Sequence, residues 1–159
     1  MNMKDIIDPV DKQLIISELT PEKFIRKTNR LNNDLYVITA HDSPNVMREV
    51  GRLRELSFRY AGGGTGKELD IDHYDTAAVP YKQLIVWDCE SSEILGGYRF
   101  HVCDESYVDQ DGNVNLSTAT LFDFSPKFIK DYLPYTIELG RSFVQPTFQS
   151  TNRFGKGIY

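Results

Sequence analysis

The chain has 159 residues, of which 40% are hydrophobic, and its formal net charge is −5 at pH 7. This length suits one domain with a core of moderate size, and nine tyrosines with nine phenylalanines argue against a disordered chain. The acidic balance disfavours non-specific nucleic-acid binding, because phosphate contacts need clustered lysine and arginine.

The N-terminus and the cysteines indicate a cytoplasmic protein. The opening residues, MNMKDIIDPVDKQ, lack the apolar core of a signal peptide, and no apolar run reaches membrane-spanning length. Cys89 and Cys103 form no CxxC pair and have no histidine at metal-ligand spacing. We therefore interpret them as reduced cysteines in or beside strands, and we predict no metal site.

Serine or threonine followed by proline predicts the start of each helix. The hydroxyl is an N-cap and proline suits the first helical position. The pairs are Thr20-Pro21, Ser43-Pro44 and Ser125-Pro126. They predict a short helix near 21–29, a longer helix over 44–60 and a short helix near 126–132.

Runs of β-branched and aromatic residues predict the strands. These runs are 35–40, 82–88, 94–102 and 136–144. The second and third runs flank the short polar segment CESSE, so we expect them to form an antiparallel hairpin. The order of strand, helix, hairpin and strand predicts an α/β or α+β fold.

Two polar segments in the middle of the chain invite functional interpretations. AGGGTGKE (61–68) lacks the first glycine and the final Ser or Thr of a P-loop and follows a helix, so we interpret it as a flexible loop. DIDHYD (70–75) lacks the spacing of a calcium loop. It is interpreted either as a solvated acidic turn or as a carboxylate cluster that takes up a proton or holds a cationic amine.

The last strand, TIELGRSFV, carries two charges, Glu138 and Arg141. Residues three apart in a regular strand point to opposite faces, and a bulge at Gly140 would bring both charges nearer one side. Arg99 lies in another apolar strand. A structural ion pair of Glu138 with Arg99 or Arg141 is the alternative to a catalytic role for Glu138.

Five segments in this order resemble the GNAT-like acyltransferases that take acyl chains from acyl carrier protein. The segments are LRELSFR (53–59), DIDHYD (70–75), YKQLIVWD (81–88), ILGGYRF (94–100) and ELGRSFVQP (138–146). The chain looks most similar to the amino-acid N-acyltransferases that begin ornithine-lipid or glycine-lipid synthesis, which are often labelled hemolysins. The resemblance implies a GNAT-like mixed, mostly antiparallel sheet with flanking helices. Residues 1–34 would be an N-terminal arm with a short helix, and 35–159 the N-terminal portion of the acyltransferase domain.

The resemblance also implies a set of site residues. Glu138 would orient or deprotonate the attacking amine, with Asp72 and Arg141 as the other catalytic residues. Arg141 would point the other way from Glu138 and fix neighbouring elements by bidentate pairing, with the Asp70–Asp75 segment as the expected partner. The implied substrate-binding residues are Arg54, Phe58, Asp70, Asp75, Arg99, Phe143 and Val144. Backbone N–H groups at the last two would face the thioester oxygen. Of the family's pyrophosphate-type loop, Gly155 and Gly157 fit, whereas Asn152 stands at its first place.

The implied reaction is transfer of a fatty acyl group from acyl carrier protein, or from coenzyme A, to the amine of glycine or ornithine for membrane lipid. No bound cofactor is expected. The partners would be the carrier protein and the small amino acid, while a homodimer and peripheral membrane association stay open.

Acyl-homoserine-lactone synthases share the skeleton, but the tryptophans that they place after the helix are missing here. The alternatives are a lactone-synthase-like enzyme and a non-catalytic acyl- or carrier-binding module. We expect these 159 residues alone to be inactive, or to complete their sheet with another copy.

Overall fold

A five-stranded antiparallel sheet organises the chain. The computed structural model describes residues 3–105, 108–109 and 111–149. Each strand pairs with its neighbour along the chain, in the order β1 to β5. The strands are β1 (Phe24–Lys27), β2 (Asp34–Ile38), β3 (Lys82–Asp88), β4 (Glu93–Val102) and β5 (Ile137–Val144). The predicted α/β (α+β) class with a mostly antiparallel sheet is confirmed, as is the hairpin of β3 and β4.

The long helix covers one face of this sheet. The helices are α1 (Lys12–Glu18), α2 (Pro44–Tyr60), α3 (His73–Thr76), α4 (Pro126–Asp131) and α5 (Pro146–Gln149). Apolar residues of α2 form the main core with residues of β2 to β5: Val46, Val50, Leu53, Ile38, Ile85, Ile94 and Phe143. Among the helices of the described segments, none has both the length and the apolar character needed to cross a bilayer.

The prediction of a helix near 21–29 is wrong. Pro21–Lys23 form one 3₁₀ turn, and the chain then continues as β1, which pairs with β2. Thr20 makes no capping hydrogen bond with its side chain, so the Thr-Pro signal lacks the contact that would extend the turn. The helix of the N-terminal arm is α1, where Asp11 accepts a hydrogen bond from Gln13 N at 2.8 Å.

Two adjacent glycines allow the strands around β4 to approach closely. A Cβ atom at Gly96 would lie 2.5 Å from the carbonyl oxygen of Phe143 on β5. A Cβ atom at Gly97 would lie 2.3 Å from the carbonyl oxygen of Leu84 on β3. Any larger residue would therefore push β4 away from its partners, and β5 would lose its alignment beside Arg99.

Candidate active site

A β-bulge in β5 brings both charged side chains of that strand to one face of the sheet. Between the pairs made by Gly140 and Phe143, three steps along β5 oppose two steps along β4. Arg141 is the extra residue of the bulge. Its φ of 52° is a left-handed conformation found at bulges of this kind. In a regular strand Glu138 and Arg141 would lie on opposite faces. The bulge predicted at Gly140 lies one residue later, at Arg141, and it gathers the two charges as predicted.

Within the described residues, three hydrogen bonds hold the carboxylate of Glu138. The Tyr81 hydroxyl donates to Oε2. The backbone N–H of Thr118 donates to Oε1 at 2.6 Å, and the Thr118 hydroxyl donates to the same oxygen. A carboxylate offers about four acceptor positions, so this half-buried group keeps room for an amine or a water. Among the described residues, the alternative ion pair of Glu138 with Arg99 or Arg141 is not formed.

Arg99 is the centre of a buried ionic cluster on the same face. Its Nη1 atom lies 2.8 Å from both oxygens of Asp72 and 3.3 Å from Oδ2 of Asp75, and its Nη2 donates to Ser117 Oγ at 2.9 Å. Burial alone would raise the pKa of Asp72, but the hydrogen bond and the charge of Arg99 hold that pKa below its ordinary 3.8. Asp72 is thus an ionised anchor for Arg99, and its expected catalytic role stays a prediction.

Arg54 is the centre of a second buried set of contacts, which shares Asp75 with the cluster around Arg99. Its side chain is 0% exposed, and Nη1 lies 3.2 Å from Oδ2 of Asp75. Its Nη2 donates to Gln83 Oε1, and Gln83 Nε2 donates to Asp75 Oδ1 at 3.0 Å. Burial lowers the pKa of Arg54, whereas the charges of Asp75 and Asp70 oppose that change. Arg54 therefore ties α2, α3 and β3 together and reaches a substrate only through its neighbours.

The acidic segment 70–75 is a buried anchor, so its interpretation as a solvated turn is wrong. Asp72 caps α3 by accepting from the backbone N–H groups of Tyr74 and Asp75, and Asp75 accepts from Asp72 N at 3.1 Å. Asp70 and Asp75 are only 2% and 0% exposed. Its carboxylates pair with arginine side chains of the chain itself. The other interpretation, a cluster that takes up a proton or holds a cationic amine, stays a prediction.

Arg141 faces this cluster from β5 over longer distances. Its Nε lies 3.4 Å from Oδ2 of Asp70, and its Nη2 lies 3.5 Å from Oδ2 of Asp72. The Arg141 side chain keeps 36% of its surface exposed. Burial raises the pKa of Asp70, while the charges of Arg141 and Arg54 act in the opposite direction. The predicted pairing of Arg141 with the acidic segment is confirmed.

An apolar cavity of about 220 Å³ borders Glu138. Its lining includes Cys103, Leu116, Phe124, Phe128, Leu133 and Leu139. Arg99 and Arg141 do not line this cavity, and other cavities, of about 290 and 300 Å³, are lined by neither arginine nor by Glu138. Chemistry, and not size, therefore distinguishes the cavity beside Glu138. A carboxylate at the wall of an apolar cavity suits a reaction between a polar nucleophile and a group with an apolar tail.

The remaining predicted site residues lie mostly in the core. Phe58 is half-buried on α2 and packs against the main core, and Phe143 is 5% exposed within it. The carbonyl oxygen of Val144 accepts a hydrogen bond from Ser57 Oγ at 3.1 Å. A role for the N–H groups of Phe143 and Val144 at a thioester oxygen stays a prediction. The expected loop with Asn152, Gly155 and Gly157 lies outside the described residues.

Sequence reasoning missed the residues that hold Glu138 and Arg99. Tyr81 and Gln83 lie two residues apart at the start of β3, so strand alternation places them on one face. This spacing is the sequence signal that could have placed Tyr81 and Gln83 at the site. Ser117 and Thr118 lie in a short turn between β4 and α4, and nothing in their local sequence predicts contact with β5.

A family model and the names of similar proteins both identify an acyltransferase family. A family model described as an acetyltransferase (GNAT) domain matches residues 53–154. Proteins named glycine N(alpha)-acyltransferase, from Phocaeicola vulgatus and Bacteroides thetaiotaomicron, are each 55% identical to the chain over 157 residues. These alignments cover 99% of the chain but 48% and 47% of the two relatives, so the chain spans about half the length of the curated relatives it matches. No solved structure matches the chain significantly.

Proposed function

Because the chain belongs to the GNAT acetyltransferase-domain family, we propose that it forms part of an N-acyltransferase that moves a fatty acyl group from a thioester to the α-amine of glycine. The relatives' name, glycine N(alpha)-acyltransferase, supports this acceptor. The observation that carries the proposal is the Glu138 carboxylate at the wall of an apolar cavity, on the strand at one edge of the described sheet.

The proposed chemistry needs one carboxylate and no covalent enzyme intermediate. The glycine nitrogen attacks the thioester carbonyl, so that an N–C bond forms. Glu138 accepts the amine proton directly or through one water. The tetrahedral species then collapses, the C–S bond breaks, and the thiolate leaves and is protonated. Backbone N–H groups at Phe143 and Val144 are proposed to stabilise the oxygen on which negative charge develops.

The charged residues around Glu138 are proposed to shape the site. Asp72 and Asp75 fix Arg99, and Arg99 holds Ser117, the neighbour of Thr118. Rigid support of this kind keeps a catalytic group in productive geometry. In this proposal residues 1–34 are an arm, and 35–159 supply the N-terminal portion of the acyltransferase domain.

The donor and the product follow from the same proposal. The donor is an acyl group on acyl carrier protein, with coenzyme A as the alternative carrier, and the product is an N-acyl amino acid for membrane lipid. Ornithine is the alternative acceptor. The enzyme would work in the cytoplasm, and the apolar product would bring it to the membrane surface.

Replacing Glu138 by Gln tests the proposal in the natural full-length protein that contains these residues. Acylation is followed by mass spectrometry with glycine and with acyl carrier protein or coenzyme A as the donor. We expect turnover to fall by roughly 100-fold or more, the usual effect of losing a general base. Glu90→Gln is the matched control, because Glu90 is exposed in the turn between β3 and β4, and it should leave turnover unchanged.

The alternative to catalysis is a structural role for Glu138, which anchors the turn at Thr118. Thermal unfolding of each variant separates the two. If Glu138→Gln lowers only stability and the folded fraction keeps its turnover, Glu138 has no place in the mechanism. If the unaltered protein binds acyl carrier protein but acylates no amine, it is a binding module. Loss of N-acyl amino-acid lipids on deletion of the gene would support the lipid product.

A further inference from the structure

We propose that the guanidinium of Arg141 binds the carboxylate of the amino-acid acceptor and thereby selects amino acids over amines that lack this group. The inference rests on the proposed function, since it adds a recognition site to the proposed reaction at Glu138. It goes beyond the expected role of Arg141 as a structural tie to the acidic segment 70–75.

An acceptor with a free carboxylate needs a cation close to the attacking amine, and the other arginines of the site are already engaged. Arg54 is 0% exposed and binds Asp75 and Gln83. The Arg99 side chain is 3% exposed, and its two Nη atoms bind Asp72, Asp75 and Ser117. Neither can turn toward a ligand without leaving buried carboxylates unpaired, which is costly.

Arg141 differs from both in the exposure of its side chain and in the length of its contacts. Its side chain is 36% exposed, and its contacts with Asp70 and Asp72 are long, at 3.4 and 3.5 Å. Its Nε atom is buried and, like the Nε atoms of Arg54 and Arg99, has no partner in hydrogen-bonding geometry. Within the described residues, no hydrogen bond or ion pair engages Nη1. A guanidinium has five N–H donors and matches a carboxylate in a two-pronged contact, so Arg141 can hold the acidic segment on one side and a ligand on the other.

The backbone of Arg141 points to the same role. A φ of 52° is uncommon for a residue with a side chain and strains the backbone. The bulge created by this conformation carries the guanidinium to the face of Glu138. Strain of this kind persists where the side-chain position has a use.

Glu138 and Arg141 lie close enough for a small amino acid to contact both. They are three residues apart on one strand, so their Cα atoms are separated by at most about 10 Å, and the bulge places both side chains on one face of the sheet. A chain of contacts connects them: Arg141 to Asp72, Asp72 to Arg99, Arg99 to Ser117, Ser117 to Tyr81 and Tyr81 to Glu138. Glycine would place its amine at Glu138 and its carboxylate at Arg141.

A comparison of glycine with glycinamide tests the proposal, because glycinamide keeps the amine and replaces the carboxylate with a neutral amide. The ratio of kcat/KM for glycine to kcat/KM for glycinamide is measured for the natural full-length protein, Arg141→Gln, Arg141→Lys and Arg48→Gln. Arg48 is exposed on α2, so its variant controls for the loss of one positive charge. The difference in reactivity between the two amines cancels when the ratio is compared across variants.

We expect Arg141→Gln to lower this ratio by roughly 10- to 100-fold, the effect of losing a charge-assisted two-pronged contact. Most of the loss should come from a higher KM for glycine, with glycinamide almost unaffected. Arg141→Lys should keep part of the preference, because it keeps the charge, and Arg48→Gln should keep all of it. Arg141→Lys also serves if the glutamine variant does not fold.

Two experimental outcomes would contradict the proposal, and each has a different meaning. If Arg141→Gln lowers kcat/KM equally for both amines, Arg141 acts by supporting Asp70 and Asp72, and the recognition role is overturned while the proposed reaction stands. If the unaltered protein acylates neither amine with any donor, the proposed function and this inference fall together.

Discussion

At the scale of single residues, the phenol of Tyr81 connects the candidate carboxylate to the turn that supports it. The hydroxyl donates to Glu138 Oε2 and accepts from Ser117 N at 2.9 Å. Burial, followed by the hydrogen bond to Glu138, raises the pKa of Tyr81 above its ordinary 10.0. The phenol therefore stays protonated and remains a donor at neutral pH. This hydrogen bond fixes one oxygen of Glu138, whose side chain lines the cavity.

Tyr81→Phe should lower kcat by roughly 10- to 100-fold with little change in the KM for glycine. The variant removes one hydrogen bond to a charged group, worth about 1.5–3 kcal/mol, from a carboxylate that needs a fixed orientation. Steady-state kinetics with the natural full-length protein measure both constants. Tyr98→Phe is the control, because Tyr98 lies on the opposite face of β4 and should not affect turnover. A rise in KM alone would mean that Tyr81 shapes substrate binding and not the position of Glu138.

The charges of the site could be found from the sequence, but their supports could not. Glu138 and Arg141 are conspicuous because charges are rare in an apolar strand, and a glycine between them marks the bulge. Tyr81 is separated from Glu138 by 57 positions and Thr118 is separated from it by 20. Such contacts depend on how β3, β4 and β5 align, which local pattern does not specify.

The sequence predicts a helix or a strand when the residue pattern within that element determines its structure. The bounds of α2 and β3 agree with the prediction, because proline marks the start of α2 and a continuous run of β-formers defines β3. By contrast, all four residues of β1 are exposed, so β1 has no alternation to detect. Its pairing with β2, and not its composition, makes it a strand.

The N-terminus of α2 is capped from the N-terminal arm. Ser43, the predicted cap, makes no capping hydrogen bond with its side chain. Instead Glu18, at the end of α1, accepts from Asn45 N at 3.2 Å and from Val46 N at 2.9 Å. A carboxylate at this position satisfies free N–H groups and interacts favourably with the helix dipole. The arm therefore contributes to the stability of the helix that carries Arg54.

Glu18→Ala should lower the free energy of unfolding by about 1 kcal/mol, the usual cost of losing a helix cap. Urea titration followed by circular dichroism measures this change, and the slope of the transition should stay constant because the exposed surface is similar. Glu90→Ala removes an exposed carboxylate that caps no helix, and it should cost much less. If both variants lose the same stability, Glu18 is not a significant cap.

Among the described residues, the sheet of the whole molecule ends at β5, an edge strand next to the candidate site. β5 pairs with β4 on one side, and no described residue pairs with its other side. Ile137 and Leu139 on this strand are 57% and 64% exposed. Free backbone groups beside exposed apolar side chains favour pairing with another chain. Since the chain spans about half the length of its curated relatives, the rest of such a protein would provide a covering segment.

Residues 1–159 expressed alone should therefore self-associate through β5. Sedimentation velocity over a concentration series should show dimers or larger species, and Leu139→Lys should shift the distribution toward monomer, because a charge on an edge strand opposes edge-to-edge pairing. Val79→Lys is the matched control, since Val79 is a 54% exposed residue that lies in no strand. A chain that stays monomeric at every concentration would contradict the prediction, as would equal effects of the two lysines, which would place the contact elsewhere. Reduced association with Leu139→Lys alone would identify β5 as the surface that a longer chain must cover before a thioester can be held beside Glu138.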